Sequence, residues 1–312
     1  MPRTRWLIAP TLAVLVSALA LAVVSTLSID WAAWRPATCL PDACFCEAIG
    51  NGTIVQPINT WSNLAFVWVG AWVLGDLRLK SKADSENTLK RVSTRFVYQQ
   101  PNSFGGPMHM FGIACIAIGL GSWFYHASLS FVGQWFDVMS MYLLGVYMML
   151  HAAARLNVDW SFRAQRGISV PDQQTGSSSA RFFAATRLRM TQAKMIFTGW
   201  YIAINVALGV LLIVWPDARR YVFGVLIVAA LILEAISHHR KLTTLQAKWL
   251  IAALGVYVVA QVIWMLDLNH IVCDPTSVLQ GHAVWHVLTA ASAGLLYLYY
   301  QSADQQRTEV RR

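Results

Sequence analysis

Apolar residues fall in long uninterrupted runs along this chain, and short segments between the runs hold most of the charge. Trp6 to Ile29 carries no charged side chain, and further apolar stretches occupy 58–77, 107–127, 131–153, 195–215, 221–237, 247–267 and 280–301. A helix needs about 20 apolar residues to cross the hydrocarbon core of a bilayer, so the pattern predicts eight transmembrane helices. The uncharged stretch between Arg95 and Asp137 is too long for one of them. Gly105-Gly106-Pro107 opens its first span, and Ser128 to Gly133 supply the turn before the next. Gln173 to Ser179 is a low-complexity segment that reads as a loop. The first span follows Arg3 and Arg5 like a signal peptide. It is longer than a normal signal core and has no clean small-residue cleavage site before Asp30, so it reads as an uncleaved anchor.

Composition agrees with this pattern. Of the 312 residues, 56% are hydrophobic and only 12% are charged, against roughly 25% charged in a soluble domain. The net charge of +9 does not point to nucleic acid, because the basic residues sit in the segments between spans. With the N-terminus inside, 21 of the 24 Lys and Arg fall on the inner side, leaving Arg35, Arg219 and Arg220 outside. That skew follows the positive-inside rule and predicts a multi-pass protein with both termini cytoplasmic. No internal repeat is evident. The domain reading is an anchor helix at 1–29, an outer loop at 30–57, a seven-helix core at 58–303 and an inner tail at 304–312.

Ionisable side chains inside a span are costly unless paired, hydrated or bound to metal. Ser122 and His126 end the third span, Asp137 starts the fourth, and His282 and His286 open the eighth. Ser122 and His126 are four apart and share a helix face, as do His282 and His286. The predicted topology places all five at similar depth near the outer, periplasmic or lumenal, side. Three imidazoles and a water make a zinc site with an open position, and zinc lowers the pKa of its water to about 7. Asp137 is then a candidate general base or histidine-orienting group, and Ser122 a donor to the water or the oxyanion. An amide or ester carbonyl at lipid depth is the target this chemistry suits. His109 and His151 read as interfacial residues, and His238 and His239 as residues of an inner loop. His270 lies in an outer loop, and Glu234 near the inner end of the sixth span reaches the interface or a partner. Cys39, Cys44, Cys46 and Cys273 are all outer and allow three complete pairings, while Cys115 sits inside a span as a packing residue.

At these positions the chain resembles the alkaline ceramidases, part of a wider group of seven-helix membrane hydrolases that includes the adiponectin receptors. The shared pattern is Ser122-x3-His126, then Asp137, then His282-x3-His286. Cys46-Glu47, Asn59-Thr60-Trp61-Ser62-Asn63-Leu64, and Trp264-x2-Asp267 followed by Cys273 add to it. The resemblance spans about residues 42 to 301, so the first span is an addition to a seven-helix core. It implies zinc on His126, His282 and His286, with Ser122 and Asp137 around the catalytic water. It also implies hydrolysis of an N-acyl sphingoid lipid to a fatty acid and a sphingoid base, and a disulfide between Cys46 and Cys273. Eukaryotic members bind calcium before the first core helix. Asp42 and Glu47 are the candidate ligands here, while Gln56 stands where a carboxylate is expected, which weakens that site. Asn51-Gly52-Thr53 is a glycosylation sequon on the outer side. Partners are therefore a membrane lipid and water, with no nucleic acid and no protein partner implied. Three alternatives stay open: hydrolysis of another N-acyl or ester lipid, a metal-containing receptor in which Asp137 closes the site as a fourth ligand, and a transporter, which the missing inverted repeat disfavours.

Overall fold

The computed structural model describes residues 5–40, 44–91, 107–166, 177–240 and 245–309, and Asp42 lies outside them. The described chain is all helical apart from loops and one isolated bridge between Pro36 and Ser130. The helices are α1 (Arg5–Ser25), α2 (Pro57–Ser62), α3 (Leu64–Arg91), α4 (Met108–Ser128), α5 (Phe131–Arg166), α6 (Ser177–Val214), α7 (Arg219–His239), α8 (Ala247–Leu268) and α9 (Gly281–Glu309). Among the described residues, six helices are long and apolar enough to cross a membrane: α1, α4, α5, α6, α7 and α8. The other two long helices, α3 and α9, are richer in polar residues. Valines and isoleucines such as Val206, Val210, Ile251 and Val258 stand exposed on the outside of the bundle, as a lipid-facing surface requires.

Three features differ from the sequence expectation. The run at 58–77 is broken into α2 and α3 at Asn63, a buried residue whose side-chain amide donates to the Asn59 carbonyl. The helices also outlast the apolar runs: α3 continues to Arg91, α5 to Arg166 and α9 to Glu309, while α6 begins back at Ser177. Lys, Arg, Glu, Gln and Ala are good helix formers, so hydrogen bonding continues where hydrophobicity stops. Ser177 to Ser179, read as loop, are the first turn of α6. The turn between α4 and α5 is only Leu129 and Ser130, with Leu129 in the left-handed region at φ 43°.

Packing follows an open ring. α4 lies between α3 and α5, α3 also touches α9, α9 packs on α8, and α7 packs on α5. α7 and α8 adjoin in sequence, yet they make at most marginal contact, so the ring is open along their seam. α1 rests on the outside of α3, and α6 on the outside of α5. α3 and α4 approach closely at Gly70, where an added Cβ would lie 2.5 Å from the Gly112 carbonyl oxygen and 2.7 Å from Ile116. Backbones can approach this closely only across small residues. Gly70→Ala is expected to lower stability by about 1–3 kcal/mol through overpacking. A fall in the thermal midpoint of the detergent-solubilised protein checks it.

Candidate functional site

The C-terminal end of α4, the N-terminal ends of α5 and α9, and the loop before α2 meet at one end of the ring. α4 finishes there with its last carbonyls short of helical partners, and the loop supplies them. Gln56 N donates to the His126 carbonyl at 3.1 Å, Val55 N to Ala127 at 3.1 Å and Ala37 N to Leu129 at 2.9 Å. This pins the loop against the turn that carries His126.

His126, His282 and His286 come together, each offering a ring nitrogen within 4.8 Å of the others, and all three are buried. His126 Nε2 and His282 Nε2 face one another at 3.1 Å. The surroundings decide which nitrogens carry protons. Gln56 Nε2 donates to the Glu47 carbonyl at 3.0 Å, which turns its Oε1 toward His126 Nδ1 at 2.9 Å. That oxygen can only accept, so His126 holds its proton on Nδ1 and bares Nε2. Ser62 Oγ donates to the Asn59 carbonyl at 2.8 Å and lies 2.7 Å from His286 Nδ1. Its single proton is already committed, so it accepts from His286 Nδ1 and leaves His286 Nε2 bare as well. His126 and His286 thus both turn a bare Nε2 lone pair into the cluster, beside the Nε2 of His282. Such a donor set fits a cation, and three neutral imidazoles are the set zinc takes with one position open.

Other contacts hold His282 in place. Phe45 stacks on it with ring centroids 3.8 Å apart, and Trp285 stacks at 5.2 Å. Asp267 accepts from His282 N at 3.1 Å and from Cys46 N at 3.2 Å, tying the start of α9 to the loop. Disulfides join Cys46 to Cys273 and Cys39 to Cys44. Cys115 is a free, buried thiol.

Ser122 and Asp137 adjoin the cluster. Ser122 and Asp137 line the same cavity, and the Ser122 hydroxyl lies 3.5 Å from His286 Nε2. Asp137 is not among the converging ligand groups; it faces two cavities instead. One, of about 100 Å³, runs from Ser122, Asp137 and His286 along the α7–α8 seam between residues such as Ile227 and Leu254. On α5 its lining runs from Asp137 to Met148, a rise of about 16 Å at 1.5 Å per residue. The second cavity lies at the loop end.

Glu47 is buried and caps α2, its two carboxylate oxygens accepting from Ile58 N at 2.7 Å and Asn59 N at 2.8 Å. Burial pushes its carboxyl up from the ordinary value, against those two donors, which favour the charged form. Several other expectations are corrected. His151 is not interfacial but buried between Tyr147 and Tyr300. His238 and His239 belong to the last turn of α7 rather than to a loop, and His238 bonds the Tyr299 hydroxyl at 2.9 Å. Glu234, by contrast, does reach a partner as expected: it is buried, paired with Arg155 and accepting from Tyr299 Oη at 2.7 Å. His109 stays exposed at the start of α4, and His270 lies in a loop beside Cys273. Gln56, Ser62, Phe45 and Trp285 received no role from the sequence, although the polar run Asn59 to Asn63 at the mouth of an apolar stretch was a visible signal.

No curated protein matches the chain. The family model for ceramidase matches residues 45–311, a stretch that takes in every residue of this cluster and leaves out α1. With most of its length matched, the chain belongs to the ceramidase family, hydrolases of the ceramide amide bond.

Proposed function

We propose that the protein is a zinc-dependent membrane amidase that cleaves ceramide-like lipids to a fatty acid and a sphingoid base, with zinc on His126, His282 and His286. The observation that carries this reading is the convergence of imidazole lone pairs, two of them bared by Gln56 and Ser62. Bound zinc would supply Lewis acidity, polarising a carbonyl and acidifying water. The remaining work falls to the chain. Asp137 takes a proton from the attacking water as its oxygen bonds the amide carbon. The same proton then passes to the nitrogen as the C–N bond breaks. Ser122 donates to Asp137 while Asp137 is charged; once Asp137 is protonated, the Ser122 hydroxyl is released toward the oxyanion. One hydrocarbon chain fills the apolar slot along the α7–α8 seam and enters sideways from the bilayer. Glu47 serves as a helix cap in this reading, with no calcium assigned to it.

We place eight spans in the membrane, α3 and α9 included, with the cluster toward the outer side, both termini inside and α1 retained as an anchor. The basic ends of α3, α5 and α9 support this orientation, since they lie at the opposite end from the histidines. Membrane-impermeant thiol labelling of single cysteines is expected to reach position 270 from outside intact cells and not position 176. The reverse pattern overturns the orientation.

The central test is elemental analysis of the purified protein for zinc together with fatty-acid release from ceramides and other N-acyl lipids. About one zinc per chain and release from ceramide support the reading. Release that survives full removal of metal ends it. Ser62→Ala is expected to weaken zinc binding by roughly 10–100-fold, as loss of the partner of a ligating histidine does. Competition with a chelator measures this.

A further inference from the structure

Positive charge is scarce at the histidine end of the bundle, and where it occurs it is not idle. Arg35 lies over the Phe131 ring at 3.9 Å. The other two, Arg219 and Arg220, open α7 and line the second cavity, of about 330 Å³, together with Asp137, Gln134, Gln261 and His282. Arg219 donates to the Pro216 carbonyl at 3.0 Å and approaches Asp217, an exposed carboxylate, only at 3.5 Å. Arg220 crosses the α7–α8 seam to lie 5.4 Å from the centre of the Trp264 ring. Among the described residues it has no carboxylate partner.

Two guanidinium groups therefore share a cavity in which Asp137 is the only carboxylate among the described residues. Of the two glutamines that line the cavity, Gln134 is already bonded to Thr38 by both ends of its amide, and Gln261 on α8 is the remaining neutral amide. Arg219 has the exposed Asp217 beside it, whereas Arg220, with no carboxylate partner among the described residues, is a partly desolvated cation that an anion would complete, and the guanidinium fork suits a phosphate or carboxylate. The cavity meets the apolar slot at Asp137, Met141, Phe223, Tyr257 and Trp285. One lipid can thus place its chain in the slot, its amide at Asp137 and its head between the arginines.

We propose that Arg219 and Arg220 bind an anionic head group on the substrate, so that the preferred substrate is an acidic relative of ceramide rather than ceramide itself. This rests on the amidase reading for the position of the amide. The experiment compares kcat/KM for ceramide 1-phosphate and for ceramide, using zinc-loaded full-length protein in dodecyl maltoside. The phosphorylated lipid is expected to be preferred by at least about tenfold. Arg220→Gln should shrink that ratio by roughly tenfold, the effect of losing one charge-assisted hydrogen bond. Arg220→Lys, which keeps the charge but loses the fork, should shrink it less. A ratio near one, or one unmoved by both Arg220→Gln and Arg219→Gln, overturns the proposal while leaving the amidase reading intact. If neither lipid is cleaved, the amidase reading fails, and the head-group site is judged by the rise in thermal midpoint with each lipid. A larger rise with ceramide 1-phosphate that Arg220→Gln removes supports the site; equal rises overturn it. An equal rise with inorganic phosphate or phosphatidylglycerol marks a general anion or bilayer-lipid seat and also overturns the substrate assignment.

Discussion

His282→Ala is expected to lose both zinc and fatty-acid release, the latter to the background of the assay. Three imidazoles hold the ion in our reading, and removing one leaves too few ligands for a stable site. The loss should exceed what the missing packing alone explains. Phe45 and Trp285 stack on the two faces of the His282 ring, so the alanine variant also leaves a gap beside His126. His282→Gln, closer in volume, separates the two effects: it should restore much of the thermal midpoint and none of the zinc. Elemental analysis and a melting curve on the same samples decide it. Zinc retained at wild-type stoichiometry by His282→Ala would place the ion elsewhere.

The second large effect concerns Asp137. Asp137→Asn keeps the shape but removes the group that accepts the proton. It should lower kcat by about 10²–10⁴-fold, with zinc content and thermal midpoint close to those of the unaltered protein. Ser122→Ala should lower kcat less, by roughly 10²–10³-fold, as loss of an oxyanion donor does. Asp137 lies outside the group of converging imidazole nitrogens, which is why metal content should survive its change. Loss of zinc from Asp137→Asn would instead make Asp137 a ligand, and would favour a closed, structural metal site.

Six of the eight expected spans appear as helices long and apolar enough to cross a membrane, legible because lipid imposes a length and a composition on any segment that crosses it. Four-residue spacing, which fixes a shared helix face, also pointed to the three histidines that converge and to Ser122 beside His286. What the sequence could not carry was the support around them. Gln56 reaches His126 across 70 residues, and Ser62 reaches His286 across 224. Each contact depends on where a loop lands, and no periodicity records that. The break at Asn63 was hidden for a related reason: the Thr60 hydroxyl donates to the Gln56 carbonyl and the Asn63 amide to the Asn59 carbonyl inside the bundle, so a hydropathy window sees only a slightly weaker span. His151 was misplaced because its partners, Tyr147 and Tyr300, come from a neighbouring turn and another helix, and the partners that Glu234 was expected to reach could not be named for the same reason.

The Cys46–Cys273 bond sits at an unusual junction. One neighbour of Cys46 in the chain is Phe45, which backs His282. The other is Glu47, whose carbonyl orients the amide that sets the His126 tautomer. A single covalent link therefore governs two of the three imidazoles from behind. Reducing that one bond is therefore expected to loosen the packing on His282 and the tautomer control at His126 together, so that a distant covalent tie sets the precision of the cluster.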